Sequence, residues 1–424
     1  MALDPPPVEG VGAGGSTDLL DEIFERVIKS KSIFINRDVL RNDYIPDHLL
    51  FRDEQISQLG SILAPILRGG KPSNAFLYGK TGTGKTVVAR YVAKKLNEKI
   101  MKFNLNIKFL YVNARLALTQ YKMLVELGAQ LGISLPFTGL SLSEAMSRIF
   151  EKMRRDGANS VVILDEIDYI VKNYDDNILY EFTRVNNEFP NGNFITIVGI
   201  SNDLKFKEYL DPRVLSSLSE EEIVFPPYTV EELEAILNDR IKVAFRPGAV
   251  SEAAVKLCAS LAASEHGDAR RAVDLLRVAG ELAEREGSEV VDTDHIIRAS
   301  RSIERDRVYE VIRSLPLHGK LVLAAVLAAP EDVNTGKLYS SYTAIAKKLG
   351  VEPLTQRRVS GILSELDVLG VLNAPVVSNG RFGRSKRVKL AVPRDVVVRA
   401  LQEDELVSSI LRWEGAPPED VHRR

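Results

Sequence analysis

The sequence predicts an α/β fold built on a parallel sheet, with further helical units after it, and three observations carry that reading. Four short apolar runs alternate with helical patterns: "NAFLYG" from Asn74, "FLYVNA" from Phe109, "SVVILDEID" from Ser160 and "FITIVGISN" from Phe194. Runs of this kind are what strands buried on both faces require. A glycine-rich turn, "GKTGTGKT", follows the first run directly, and after "IVFPPYT" at 223–229 the strands stop and helical periodicity takes over.

The elements follow in chain order. Residues 1–15 are rich in proline and glycine, have little to bury, and read as a disordered arm. Ser16 or Thr17 caps a helix through "DLLDEIFERVIKS", and "YIPDHLLFRDEQI" at 44–56 leads into a second amphipathic helix. The nucleotide-binding α/β domain spans 16–229 and carries a helical insertion over about 116–150, longer than a minimal crossover. A helical lid domain over 230–302 is broken at Pro247-Gly248, Gly267 and Gly287. Helices at 305–314, 317–328 and 339–349, and another from Thr355, lead to strand-like "GVLNAPVVS" and "KRVKLAV". Helices followed by a β-hairpin are the order of a winged helix, assigned to 303–402, with a C-terminal tail over 403–424.

Charge narrows the function. Lys and Arg number 56 against 58 Asp and Glu, a net charge of −2, so any polyanion must be bound by a local patch. From Asn334 to Val392, 10 basic side chains face only Glu352, Glu365 and Asp367. The single cysteine, Cys258, excludes an intramolecular disulfide and a cysteine-based zinc site and reads as a buried structural thiol. The N-terminus lacks a basic then apolar leader, and no run is apolar enough to span a bilayer, so a cytoplasmic protein without a membrane partner is expected.

"GKTGTGKT" comprises Gly79, Lys80, Thr81, Gly82, Thr83, Gly84, Lys85 and Thr86, with Val87 opening a helix. A strand before it and a helix after it are the context a phosphate-cradling loop needs. Backbone N–H groups and the helix N-terminus surround phosphate oxygens, Lys85 bridges the terminal phosphates, and Thr86 supplies a magnesium ligand. Asp165 and Glu166 end a buried strand at the edge where open α/β sheets bind ligands. Asp165 suits magnesium, and Glu166 suits orienting or deprotonating an attacking water. Asn202, ending the next strand, can position that water or simply close a turn. Arg213 in "LDPRVLSSL" and Arg270 in "GDARRAVDLL" are candidates to neutralise the γ-phosphate, Arg270 from the lid of the same subunit and Arg213 from a neighbour. A surface salt bridge is the alternative for either. His266 has no ligand-like companion and reads as structural.

Taken in order, these motifs resemble the AAA+ ATPases. With the winged helix and the insertion they resemble the archaeal replication initiators of the origin recognition complex/cell division control type, from about Ser16 to about Leu401. The resemblance implies ATP or ADP with Mg2+ as cofactors, contacts to the nucleotide from Tyr228 and Arg240, and an adenine packed against 44–56. It implies that the break "LPFTGLS" in the insertion reaches DNA. It further implies binding to double-stranded origin DNA beside other copies or paralogues, recruitment of the replicative helicase, and slow, switch-like ATP hydrolysis.

The C-terminal basic residues fit this. Thr355 caps the helix "QRRVSGILSELDVLG", whose apolar spacing runs Val359, Ile362, Leu363, Leu366, Leu369. Its first turn carries Gln356, Arg357, Arg358 and Ser360, types that pair with base edges and phosphates. Asn379-Gly380 and Gly383 permit a turn from which Arg381, Arg384 and Lys386 extend toward a minor groove. Wings also bind proteins in other chains. Two other classes share the ATPase module: a helicase or clamp loader acting on a protein ring, and a signal-transduction or transcription-regulating ATPase. A clamp loader needs a helical collar where this chain has the winged helix, and the regulators usually continue into sensor repeats.

Overall fold

The computed structural model describes residues 32–41, 43–136, 138–187, 193–218, 220–329, 333–378 and 384–414. The arm expected over 1–15 and the helix expected from Ser16 lie outside the described residues. The chain forms two compact units, dividing after Ile296.

The first unit holds helix α1 (Asp53–Leu63) and a parallel sheet of β1 (Asn74–Tyr78), β2 (Ile107–Asn113), β3 (Asn159–Asp165), β4 (Ile195–Ser201) and β5 (Glu220–Val224). The strand order is β2-β3-β4-β1-β5. Its three central strands are mainly apolar and buried almost throughout because helices cover both faces. On one face Val88, Ala89 and Val92 of α2 (Lys85–Lys102) meet Leu77, Val161, Ile163 and Val198. On the other, Leu124, Leu127 and Ile149 meet Leu110, Val162 and Ile197. These come from α3 (Gln120–Gln130) and α4 (Leu142–Asp156), capped by Thr119 and Ser141. The expected insertion is thus two helices folded onto the sheet, the second entering β3 as its crossover helix.

β5 is absent from the four expected strands. Its "EEEIV" buries only Ile223, as an edge strand beside β1 can, and Lys207 binds Glu220 at 2.5 Å and also Glu222. Shorter helices α5 (Ile167–Asn173), α6 (Asn177–Arg184) and α7 (Pro212–Leu218) complete the layer. The helical part follows as α8 (Val230–Ala244), started by a Thr229/Glu232 capping box, α9 (Glu252–Ser264) and α10 (Ala269–Glu286). α11 (Thr293–Ser314) runs unbroken through 302, where the sequence reading ended the lid, and starts well before the expected 305.

In the second unit α12 (Leu317–Ala328) is buried nearly all round, from Leu321 to Leu327. α13 (Thr335–Lys348), capped by Asn334, starts earlier than the expected 339, and α14 (Gln356–Val368) follows its Thr355 cap. Strands β6 (Val333–Asn334), β7 (Leu372–Asn373) and β8 (Val376–Ser378) all pair antiparallel with β9 (Arg384–Leu390). After α15 (Arg394–Gln402) comes α16 (Glu405–Glu414), inside the stretch expected to be a tail. Val407 is fully buried and Asp404 binds Lys320 at 2.9 Å, so the folded unit extends past 402.

Candidate nucleotide site and nucleic-acid interface

The phosphate loop joins β1 to α2, with Gly84 as the helix N-cap. Lys85 folds back into the loop, where Nζ donates to Gly79 O and Lys80 O, both at 2.7 Å, and Thr83 Oγ1 donates to Lys80 O at 2.9 Å. Burial is the main reason the Lys85 ammonium is pushed down to about 8; Arg270 acts the same way, and Asp165, Asp168 and Asp268 oppose it. Lys80 and Thr81 are exposed, Gly82 and Thr83 buried, and Thr86 and Val87 half-buried on the first turn.

At the sheet edge Asp165 gathers three donors. Oδ2 accepts from Thr86 Oγ1 at 2.9 Å and from Tyr111 Oη at 2.8 Å, while Oδ1 accepts from Glu166 N at 3.0 Å. A hydroxyl and a carboxylate so close are the hard oxygen ligands that suit magnesium when phosphate oxygens complete the shell. Among the described residues no cluster of three His, Cys, Asp or Glu could hold a metal unaided. Glu166 adopts φ 52, left-handed and costly for a non-glycine, and Arg115 Nη1 lies 3.6 Å from its carboxylate. Asn202 is half-buried just after β4, its N–H donating to Asp168 Oδ1 at 3.3 Å.

A cavity opens between the 41–52 segment, the loop and the lid, lined among others by Tyr44, Leu49, Gly84, Val87, Tyr228 and Arg240. Tyr228 is 8% exposed, and the Arg52 guanidinium stacks 3.7 Å from its ring centroid. Arg52 also donates to Thr83 O at 2.9 Å and Pro226 O at 2.8 Å, tying the loop, the stretch before Tyr228 and the lead-in segment together. Arg240 lies 4.7 Å over the Tyr44 ring and donates to Val39 O at 3.4 Å, and burial lowers its pKa. On the lid side Asp268 caps α10, accepting from Arg270 N at 2.8 Å, and Ala269 N donates to Gly82 O at 3.2 Å. A Cβ on Gly82 would come within 1.7 Å of the Asp268 carboxylate, so this approach requires glycine.

Arg270 is exposed and lines the cavity. Arg213 does not line it; its side chain is 82% exposed on α7, with Nε 3.0 Å from Asp211 Oδ1. His266, read as structural, is exposed, with Nδ1 3.4 Å from Lys80 Nζ beside the loop. Cys258 is fully buried, and burial pushes its thiol up to about 12.

In the second unit Thr355 Oγ1 accepts from Arg358 N at 3.4 Å. Gln356, Arg357 and Arg358 are exposed on the first turn of α14 and Ser360 is half-buried. Val359, Leu363 and Leu366 are buried, but Leu369, counted on the apolar face, is 51% exposed because the helix ends at its C-cap. Lys386 turns inward: Nζ donates to Ser364 Oγ at 2.5 Å, so it braces α14 instead of extending from the wing. Arg384 opens β9, paired with Ser378, and Arg381 with its turn lies outside the described residues.

Comparison with known proteins bears on both regions. Family models match successive stretches: an AAA ATPase domain over 48–185, a Cdc6 AAA+ ATPase-type lid domain over 234–301, and a CDC6 C-terminal winged helix domain over 310–400. ORC1-type DNA replication protein 1 of Sulfurisphaera tokodaii is 50% identical over 397 residues, covering 92% of this chain and 98% of the relative. That of Archaeoglobus fulgidus is 48% identical over 396 residues, covering 93% and 96%. The chain belongs to the ORC1-type DNA replication proteins.

Its ORC1-type fold matches the solved Aeropyrum pernix ORC1 protein in complex with DNA, at 47% identity and TM-score 0.82, over 90% of this chain and 99% of that one. The Aeropyrum pernix ORC2 protein, solved as ADPNP-ADP complexes, is 25% identical with TM-score 0.58, over 90% and 99%. AAA+ module, lid and winged helix are therefore established for this ORC1-type chain. No helix among the described residues is long and apolar enough to cross a membrane. Sequence reasoning passed over Arg52, Tyr111, Arg115 and Asp268. Asp268 carried a signal, a cap residue directly before a helix; Arg52 stood inside the quoted 44–56 segment; Tyr111 and Arg115 had none, since the end of β2 bears no signature.

Proposed function

We propose that this ORC1-type protein is an ATP-regulated initiator that binds duplex DNA at replication origins, assembles there with other copies or paralogues, and promotes helicase recruitment, with slow ATP hydrolysis as its switch. The carrying observation is one chain that joins a phosphate loop, with its partner residues assembled, to a winged helix whose first recognition turn is exposed and basic. The solved relatives with DNA and with nucleotides support the same reading.

In it, Lys85 and the loop N–H groups from Gly79 to Val87 hold the phosphates, and Thr86 with Asp165 holds magnesium, which neutralises phosphate charge when bound. Tyr228, Arg240 and the 44–52 segment enclose the base and ribose. Glu166 accepts the proton of the attacking water and Asn202 orients it, while Arg115 restrains Glu166 in the form described. Arg270 meets the γ-phosphate from the lid, and Arg213, exposed and away from the cavity, serves a neighbouring subunit's site. Thr355, Gln356, Arg357, Arg358 and Ser360 enter the major groove, with Arg381 and Arg384 on the wing. Lys386 fixes the angle between wing and helix. We further propose a lid over 230–302 and a winged-helix domain from 303, whose folded part continues past 402 to include Val407.

A genome-wide footprint of the bound chain tests this. Occupancy concentrated at a few sites from which replication starts is expected; uniform coverage would overturn the initiator reading.

A further inference from the structure

Tyr111 has no part in the roles above, yet it is built into the site. Parallel pairing sets Tyr111 opposite Ile163, and Asp165, two residues on, shares that face of β3. The ring therefore reaches along the ladder and its hydroxyl donates to Asp165 Oδ2 at 2.8 Å, the same oxygen that accepts from Thr86 Oγ1 at 2.9 Å. Arg90, one turn beyond Thr86 on α2, lies with its guanidinium 4.2 Å from the Tyr111 ring centroid and fixes the ring. Glu166 N holds the other carboxylate oxygen, so the plane of Asp165 is set from three directions.

We infer that Tyr111 is a positioning residue for the magnesium site: by holding Asp165 Oδ2 as the acceptor of the Thr86 proton, it leaves the Thr86 Oγ1 lone pair facing the cation. The inference rests on the magnesium-nucleotide reading above. Removing a group that orients a metal ligand costs metal affinity while leaving the metal-free site intact.

The test is Tyr111→Phe in the full chain, which keeps the ring. Mn2+ serves as the probe, followed by electron paramagnetic resonance in the presence of ADP, with ADP binding in EDTA measured alongside. Mn2+ affinity of the ADP complex is expected to fall roughly tenfold while metal-free ADP affinity stays within about twofold. Unchanged Mn2+ affinity overturns the inference, and so does an equal loss with and without metal, which marks a merely structural role. Failure of the wild-type chain to hold Mn2+ with ADP instead overturns the magnesium-nucleotide reading and the inference with it.

Discussion

Around the phosphate loop Lys85, Arg52 and Asp165 are each held by two or three hydrogen bonds, whereas on α14 Gln356, Arg357 and Arg358 are exposed and their turn is fixed by the Thr355 cap. The contrast follows from solvation. A charge withdrawn from water needs fixed partners, so the nucleotide site is preorganised; an exposed arginine stays hydrated until a polyanion displaces its counterions. One region acts through geometry, the other through screened charge.

That difference can be broken from either side. Glu166→Gln should lower ATP hydrolysis by on the order of 10²–10⁴ in a single-turnover assay while ATP affinity holds, because only proton acceptance is lost. Lys85→Ala should weaken nucleotide binding by about a hundredfold in calorimetry, the scale of roughly 3 kcal/mol for a lost charge-assisted contact. In the exposed region, Arg357→Ala with Arg358→Ala should cut duplex affinity about 10- to 100-fold and flatten the logarithmic salt slope by about 2, with nucleotide binding unchanged.

Acidity probes the nucleotide site. With Lys85 lowered to about 8 in the free protein, phosphates must draw a proton onto it, so nucleotide binding takes up a proton near that pH. Affinity should be level below pH 8 and fall by up to about tenfold per unit above it. Calorimetry in buffers of different ionisation heat reads the proton directly. The smallest effect belongs to Lys386→Met: since Lys386 bonds to Ser364, DNA affinity should drop by only about threefold, through a loosened wing.

The same physics decides what is legible in the sequence. "GKTGTGKT" and "VVILDE" are contiguous, and their chemistry depends on local backbone, so loop, strand and edge carboxylates can be read directly. Partners that meet only through the fold cannot: Tyr111 reaches Asp165 through strand pairing, and Arg52 reaches Thr83 from the lead-in segment. β5 hides because an edge strand of glutamates lacks an apolar run. The exposed basic turn of α14 is legible by composition, but composition does not separate Lys386, which braces, from Arg357 and Arg358, which face solvent.

The most direct test of an origin-binding initiator is titration of the full chain on origin-bearing and random duplexes of equal length at several salt concentrations. The account predicts parallel salt slopes, set by shared phosphate contacts, with the origin duplex bound at least about a thousandfold tighter at physiological salt. Coincident curves at every salt concentration would contradict it.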